Sequence, residues 1–214
     1  MTEMEALCAR HSVRAYFDKP IEAETVGQLR AMIDEINHEG DLHIQFLENG
    51  GHAFDRTLNK VIGLASAPSV IACVGKDAPD LEERIGYYGQ KLVLYAQALG
   101  LNTCWAGIFN KNTTEARVDQ GERLVIVIAI GYGKVQGKPH KSKTPEQVSR
   151  VKGEKPEWFD RAVEAALLAP TAINQQKFEI FCDNGEMSFV DKGGPFSKVD
   201  LGIVKYCFEL GKRK

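Results

Sequence analysis

Ala169-Pro170-Thr171-Ala172-Ile173-Asn174-Gln175-Gln176-Lys177-Phe178 separates a helical pattern from a strand pattern. Its Ala-Pro-Thr turn sets the backbone path, because proline fixes φ and removes a donor. Asn174, Gln175 and Gln176 then offer carboxamide donors and acceptors in a row. Taken alone, that is a polar helix-to-strand connection with solvated amides. It also suits a planar ligand whose edge carries both donors and acceptors, so the rest of the chain decides.

Upstream, Pro156 suits a helix start, and Phe159, Val163, Ala166 and Leu167 give the buried face. Downstream, Phe178–Cys182 and Met187–Val190 flank Asp183-Asn184-Gly185, the strongest hairpin signal present. Gly193-Gly194-Pro195 breaks the pattern, and Asp200–Leu210 reads as a last helix stopped by Gly211. Before the loop, Lys134–Lys155 is polar and basic and reads as a connector carrying Lys141 and Lys143.

In the first part of the chain, Glu3–Ala9 predicts a short helix. Val26, Leu29, Ile33 and Ile36 predict an amphipathic helix over Thr25–Glu39, with Gly40 as its stop. Leu42, Ile44 and Phe46 alternate as a strand that ends in Glu48-Asn49-Gly50-Gly51. Pro68–Gly75 and Arg123–Ile130 are apolar nearly throughout and read as central strands. A helix is expected over Gly86–Leu99, with Tyr88, Leu92, Tyr95, Ala96 and Leu99 on one face. Leu101–Phe109 is apolar and broken by Gly107, where backbone can approach a ligand closely or merely bend.

Arg10-His11-Ser12-Val13-Arg14 is the other chemically suggestive stretch. If extended, it puts Arg10, Ser12 and Arg14 on one side, two guanidinium forks about a hydroxyl. That is a phosphate grip, or else an exposed basic turn making weak surface pairs.

Composition limits the alternatives. The chain has 214 residues and a net charge of −2, with no basic field for nucleic acid. Leu124–Ile130, its longest apolar run, is too short to span a bilayer, and Met1–Leu7 does not read as a signal peptide. The five cysteines are dispersed without Cys-x-x-Cys, as expected of reduced thiols in a cytoplasmic protein with no metal site.

Helix, strand, then Glu/Asp-Asn-Gly occurs over Val26–Phe54 and again over Phe159–Val190. Likewise, residues 89–100 (GQKLVLYAQALG) resemble residues 202–211 (GIVKYCFELG). The expectation is one domain over 1–214 with two diverged half-repeats, about 1–133 and 156–211, joined by the connector at about 134–155.

Together these segments resemble the FMN-dependent nitroreductase family. Arg10-His11-Ser12-Val13-Arg14 is similar to its flavin-phosphate motif, and Ala169–Gln176 to its Ala-Pro-Ser-…-Asn-x-Gln-Pro-Trp loop. Residues 98–109 and 127–133 resemble its helix, flavin-facing segment and following strand. Lys177-Phe178 stands in place of Pro-Trp, and Gly133 in place of a common proline. The late position of the loop resembles a single-chain, internally duplicated branch. The resemblance implies an α+β fold, a mixed central sheet flanked by helices, forming a pseudo-dimer.

It further implies FMN, with Arg10, His11, Ser12 and Lys141 or Lys143 at its phosphate and ribityl chain, and Arg14 at the pyrimidine edge. Pro170, Thr171, Asn174 and Gln176 would line the ring, and the backbone of Ala106 and Gly107 would approach N5. The expected activity is NAD(P)H-driven, ping-pong reduction of a nitroaromatic, quinone or similar oxidant, without an obligatory side-chain acid or base. No Gly-x-Gly-x-x-Gly follows a strand, so nicotinamide would stack transiently on the flavin rather than fill a Rossmann domain. A non-catalytic flavin carrier or regulator is the alternative. A monomer or weak homodimer would suffice, with no nucleic-acid or membrane partner.

Overall fold

The computed structural model describes residues 1–54 and 64–213. The helices are α1 (Glu3–Ala9), α2 (Ala23–Gly40), α3 (Leu81–Ala98), α4 (Pro145–Val148), α5 (Phe159–Leu167) and α6 (Ser197–Lys212). The strands are β1 (Gln45–Leu47), β2 (Ser69–Lys76), β3 (Asn102–Ala106), β4 (Glu122–Gly131), β5 (Ser149–Lys152), β6 (Phe178–Asp183) and β7 (Glu186–Asp191). Lys214, the end of the basic C-terminal run, lies outside the described residues.

The α+β expectation holds, with the described strands distributed over two sheets. β1-β2-β4-β3 is antiparallel throughout, while β5-β6-β7 pairs β5 parallel and β7 antiparallel to β6. β2 and β4 are central, and their near-continuous apolar sequence follows from burial on both faces. Ile71 and Cys73 join the larger core with Ile126, Ile128 and Ile130, under the helices. Val70, Ala72 and Val74 face a second core with Val127, Ala129, Phe54 and Tyr16.

Edge strand β3 is covered by the extended segment after α1. Ser12 forms a parallel bridge with Thr103, Val13 N–H donates to the Thr103 carbonyl at 3.1 Å, and Tyr16 bridges Gly133. This pairing fixes Arg10–Arg14 against the sheet.

Several elements depart from the sequence reading. Lys134–Lys155 contains α4 and β5, so it is not a bare connector. Gly40 is the last residue of α2, and Asp41 (φ 45°) takes the left-handed position that ends it. The Tyr88 ring occupies the space a Gly40 side chain would need. Gly211 also lies inside a helix, where the Ala162 backbone of α5 comes close. The hairpin is as expected, with Asn184 (φ 48°) and Gly185 (φ 86°) in its turn.

Candidate functional site

The two motifs at opposite ends of the sequence meet. Arg10, His11, Ser12 and Arg14 share a cleft of about 660 Å³ with Pro170, Thr171, Ile173 and Asn174. Gly137, Lys138 and His140 close its basic end. A narrower recess of about 100 Å³ continues from it, sharing Ser12, Arg14, Pro170, Thr171 and Ile173. Trp105, Gly107, Ile126, Ala172, Phe196, Val199, Asp200 and Ile203 complete the recess.

Among the described residues, no carboxylate pairs with Arg10, Arg14 or Lys138 at the basic end. Arg10 is only 5% exposed, its Nε has no hydrogen-bond partner, and its Nη2 donates to Ser12 Oγ at a long 3.4 Å. Burial lowers its pKa, as desolvation of an uncompensated cation must. His11 is held below its ordinary value by desolvation first, then by Arg10 and His140. His140 Nε2 lies 2.9 Å from the Leu167 carbonyl, which orients its ring.

The recess has an aromatic frame. Trp105 projects from β3 onto α3, where Gly89 leaves room for its indole and Nε1 donates to Gln90 Oε1 at 3.4 Å. Opposite, Phe196 adopts φ 55° before α6, and its ring packs against Gly107, where a methyl would collide with it. Gly107 is therefore a close-approach glycine, and its neighbour is a ring of this same chain.

The 171–176 loop has an unusual backbone: Ile173 (φ 47°), Asn174 (φ 56°) and Gln176 (φ 44°) are left-handed without being glycine. A β-branched residue rarely adopts this region. Ile173 is nevertheless 88% exposed at the rim of both cavities. Asn174 Nδ2 and Gln176 Nε2 donate to the Lys141 carbonyl at 2.9 and 2.8 Å. Gln176 Oε1 accepts from Lys143 N–H at 2.8 Å, and Gln176 Nε2 also donates to Asn174 Oδ1 at 2.8 Å.

Seven of the residues singled out from sequence thus line the wide cleft: Arg10, His11, Ser12, Arg14, Pro170, Thr171 and Asn174. Gly107 lines the recess. Ala106 is buried in β3, behind the recess lining. Gln176, 2% exposed, has its carboxamide committed to the backbone of 141 and 143. Lys141 and Lys143 brace the loop from behind, with Lys143 Nζ donating to the Gln176 carbonyl at 2.6 Å. These three residues sit outside both cavity linings, whereas Asn174 lines the cleft although its carboxamide is also tied to the Lys141 carbonyl and to Gln176.

Sequence reasoning missed Asp200. It is 7% exposed in the first turn of α6 and lines the recess. Both its oxygens accept from Ala172 N–H at 3.0 Å, and Oδ2 accepts from Gln175 Nε2 at 2.7 Å. Burial raises its pKa to about 6 against those hydrogen bonds, with Asp191 adding to the rise.

A family model described as "Putative TM nitroreductase" matches residues 2–212. The chain belongs to this nitroreductase family. Among solved structures, a putative nitroreductase from Thermotoga maritima matches 99% of this chain and 83% of its own, with 22% identity and a TM-score of 0.66. An FMN-dependent nitroreductase from Clostridium difficile covers 64% of this chain and 90% of its own, with 19% identity and a TM-score of 0.52. A putative nitroreductase from Desulfovibrio desulfuricans, solved in complex with FMN, covers 69% and 95% with 17% identity and a TM-score of 0.54. At these identities the likeness is one of fold. Comparison with curated proteins gives no match. Among the described residues, no helix is long and apolar enough to cross a membrane.

Proposed function

We propose that this nitroreductase-family chain is an FMN-dependent oxidoreductase that takes electrons from NAD(P)H and passes them to a nitroaromatic, quinone or similar small oxidant. Arg10 carries the reading: a guanidinium buried beside an open cleft, without a carboxylate among the described residues to pair with it. An unpaired buried charge is costly, and a phosphate in the cleft would compensate it. The residues present fit FMN. Arg10, His11 and Ser12 would grip the phosphate, Arg14 would stand nearer the recess, and Thr171 and Asn174 would face the ring's edge.

Bound FMN would supply the two-electron chemistry. The chain's part is to bind, orient and exclude water. Arg14, which lines both cavities, would favour added negative charge beside it. The apolar side chains of Ile126, Val199 and Ile203 lower the local dielectric, and Ile173 would cap the open side. NAD(P)H and oxidant would bind in turn over that open side.

Residues 10–14, Trp105 and Gly107 share these linings with residues 170–174, Phe196, Val199, Asp200 and Ile203 of the same chain. That supports two half-domains acting as a pseudo-dimer, so that a monomer has a complete site. Sedimentation showing an obligate dimer, with flavin held only by the dimer, would contradict it.

The test is direct. Purified protein, or protein mixed with FMN, shows bound flavin absorption bands, and anaerobic NADH or NADPH bleaches them. No flavin uptake removes the reading. Uptake without bleaching by either nucleotide identifies a flavin carrier or regulator instead.

A further inference from the structure

We propose that Asp200 is the positioning residue of the ligand loop: its ionised carboxylate holds Thr171–Gln176 in the left-handed conformation that faces the cleft. The strain at Ile173, Asn174 and Gln176 persists only where surroundings over-determine it. Three sets of anchors do so. Asn174 and Gln176 are tied to residues 141 and 143, and Gln176 N–H donates to Thr171 Oγ1 at 3.1 Å. The third is Asp200, which reaches the loop from α6, far away in sequence. Among the described residues it alone accepts the Ala172 N–H, and it shares the Gln175 amide with the Pro195 carbonyl.

Among these anchoring side chains, Asp200 can lose its acceptor character within the range of ordinary pH. Asp191 on β7 disfavours its charge, Arg14 lines the same recess, and its place in the first turn of α6 favours the anion. Protonation would leave one good acceptor and turn a donor toward Ala172 N–H and the Gln175 amide, both donors. The loop would then lose its tie to α6. An asparagine has the same defect at every pH.

The part of the inference that concerns cofactor affinity rests on the FMN reading; the clamp itself does not. Hydrogen exchange of the protein without added flavin, corrected for intrinsic rate, tests the clamp. At about pH 7.5, Asp200→Asn should exchange Ala172 and its loop neighbours at least about tenfold faster, with β4 unchanged. Gln175→Leu, which removes one of the ties, should give a smaller change of the same sign. Unchanged loop exchange in both variants overturns the proposal.

FMN titration against pH gives the second readout. Wild-type affinity should weaken several-fold, and by no more than about tenfold, between about pH 7.5 and pH 5, the limit for one group with a pKa of about 6. Asp200→Asn should start weak and lack that fall, keeping only the tightening expected as His11 protonates near the phosphate. Parallel profiles for the two proteins overturn the proposal. Faster loop exchange in a protein that takes up no FMN at any pH supports the clamp and sinks the flavin reading.

Discussion

Replacing Arg10 with methionine separates a ligand-binding guanidinium from a structural one. The side chain is 5% exposed, lacks a partner at Nε and makes one long bond to Ser12. Deleting one member of a satisfied buried ion pair costs about 3–5 kcal/mol, whereas an apolar replacement of an uncompensated buried charge is neutral or stabilising. The ligand-free Arg10→Met protein should therefore melt at or above the wild-type temperature.

The same change should remove a charge-assisted hydrogen bond to phosphate, worth about 1.5–3 kcal/mol or about 10–150-fold in affinity. With FMN at a hundred times its wild-type dissociation constant, binding adds about 2.7 kcal/mol of stability. That raises Tm by about 5–11 °C in a chain of this size. A hundredfold loss of affinity leaves about 0.4 kcal/mol of that gain, hence a shift of about 1–2 °C. Calorimetry with and without FMN measures both effects. A variant that melts far lower without flavin yet keeps the full flavin-induced shift would refute the reasoning and make Arg10 a structural residue.

Asp200→Asn should act on stability in a pH-dependent way. The native pKa of about 6 against an ordinary 3.8 means that the native state binds more protons between those values, so wild-type stability falls as pH rises from about 4 to 6. The full cost above that window is about 3 kcal/mol; less about 1–2 kcal/mol for weakened hydrogen bonds, the variant should gain about 1–2 kcal/mol at pH 7.5 and lose its advantage near pH 4. Urea titrations at the two pH values check the sign. Gly202→Ala places a methyl against the Glu83 carbonyl where α6 crosses α3, so a loss of about 3 kcal/mol or more is expected by denaturant melt. Gln176→Ala takes away the bonds that Gln176 makes to the Lys143 N–H and Asn174 Oδ1, leaves Asn174 Nδ2 on the Lys141 carbonyl, and should cost about 2 kcal/mol, with loosened loop exchange as a companion signal.

Periodicity located most of the scaffold because the core is patterned in the ordinary way. β2, β4, α2 and the final hairpin each carry their apolar or turn signature in consecutive residues. The start of α3 was hidden by charged Glu82-Glu83-Arg84, although Leu81 and Ile85, four apart and both fully buried, mark the inward face. β5 is short and largely exposed, and its pairing with β6 defines it, so no local pattern announces it. The glycines at 40 and 211 were read as stops because close packing and left-handed backbone leave the same mark on a sequence.

The site was legible as two motifs and not as a geometry. Residue types revealed amides in a row, but not that Asn174 and Gln176 would both tie to the Lys141 carbonyl, with Asn174 lining the cleft and Gln176 buried behind it. Trp105 lies within Leu101–Phe109, the segment already singled out, while the glycine that makes room for its indole is Gly89 on α3. Asp200 gave no local signal, since its bond to Ala172 depends on the tertiary placement of α6.

The two extremities of the fold are tied together: Glu3 pairs with Arg213 at 2.8 Å and accepts from the Tyr206 hydroxyl. Between them, α6 packs against α1, α3 and α5 and brings Val199, Asp200 and Ile203 to the recess. During synthesis at the ribosome, the antiparallel four-stranded sheet can assemble while the chain is still emerging, but the wall of the recess must wait for α6. Nascent chains halted before that helix should leave the recess open and its apolar lining wet. On the flavin reading, capture of the cofactor should report emergence of α6 rather than early collapse.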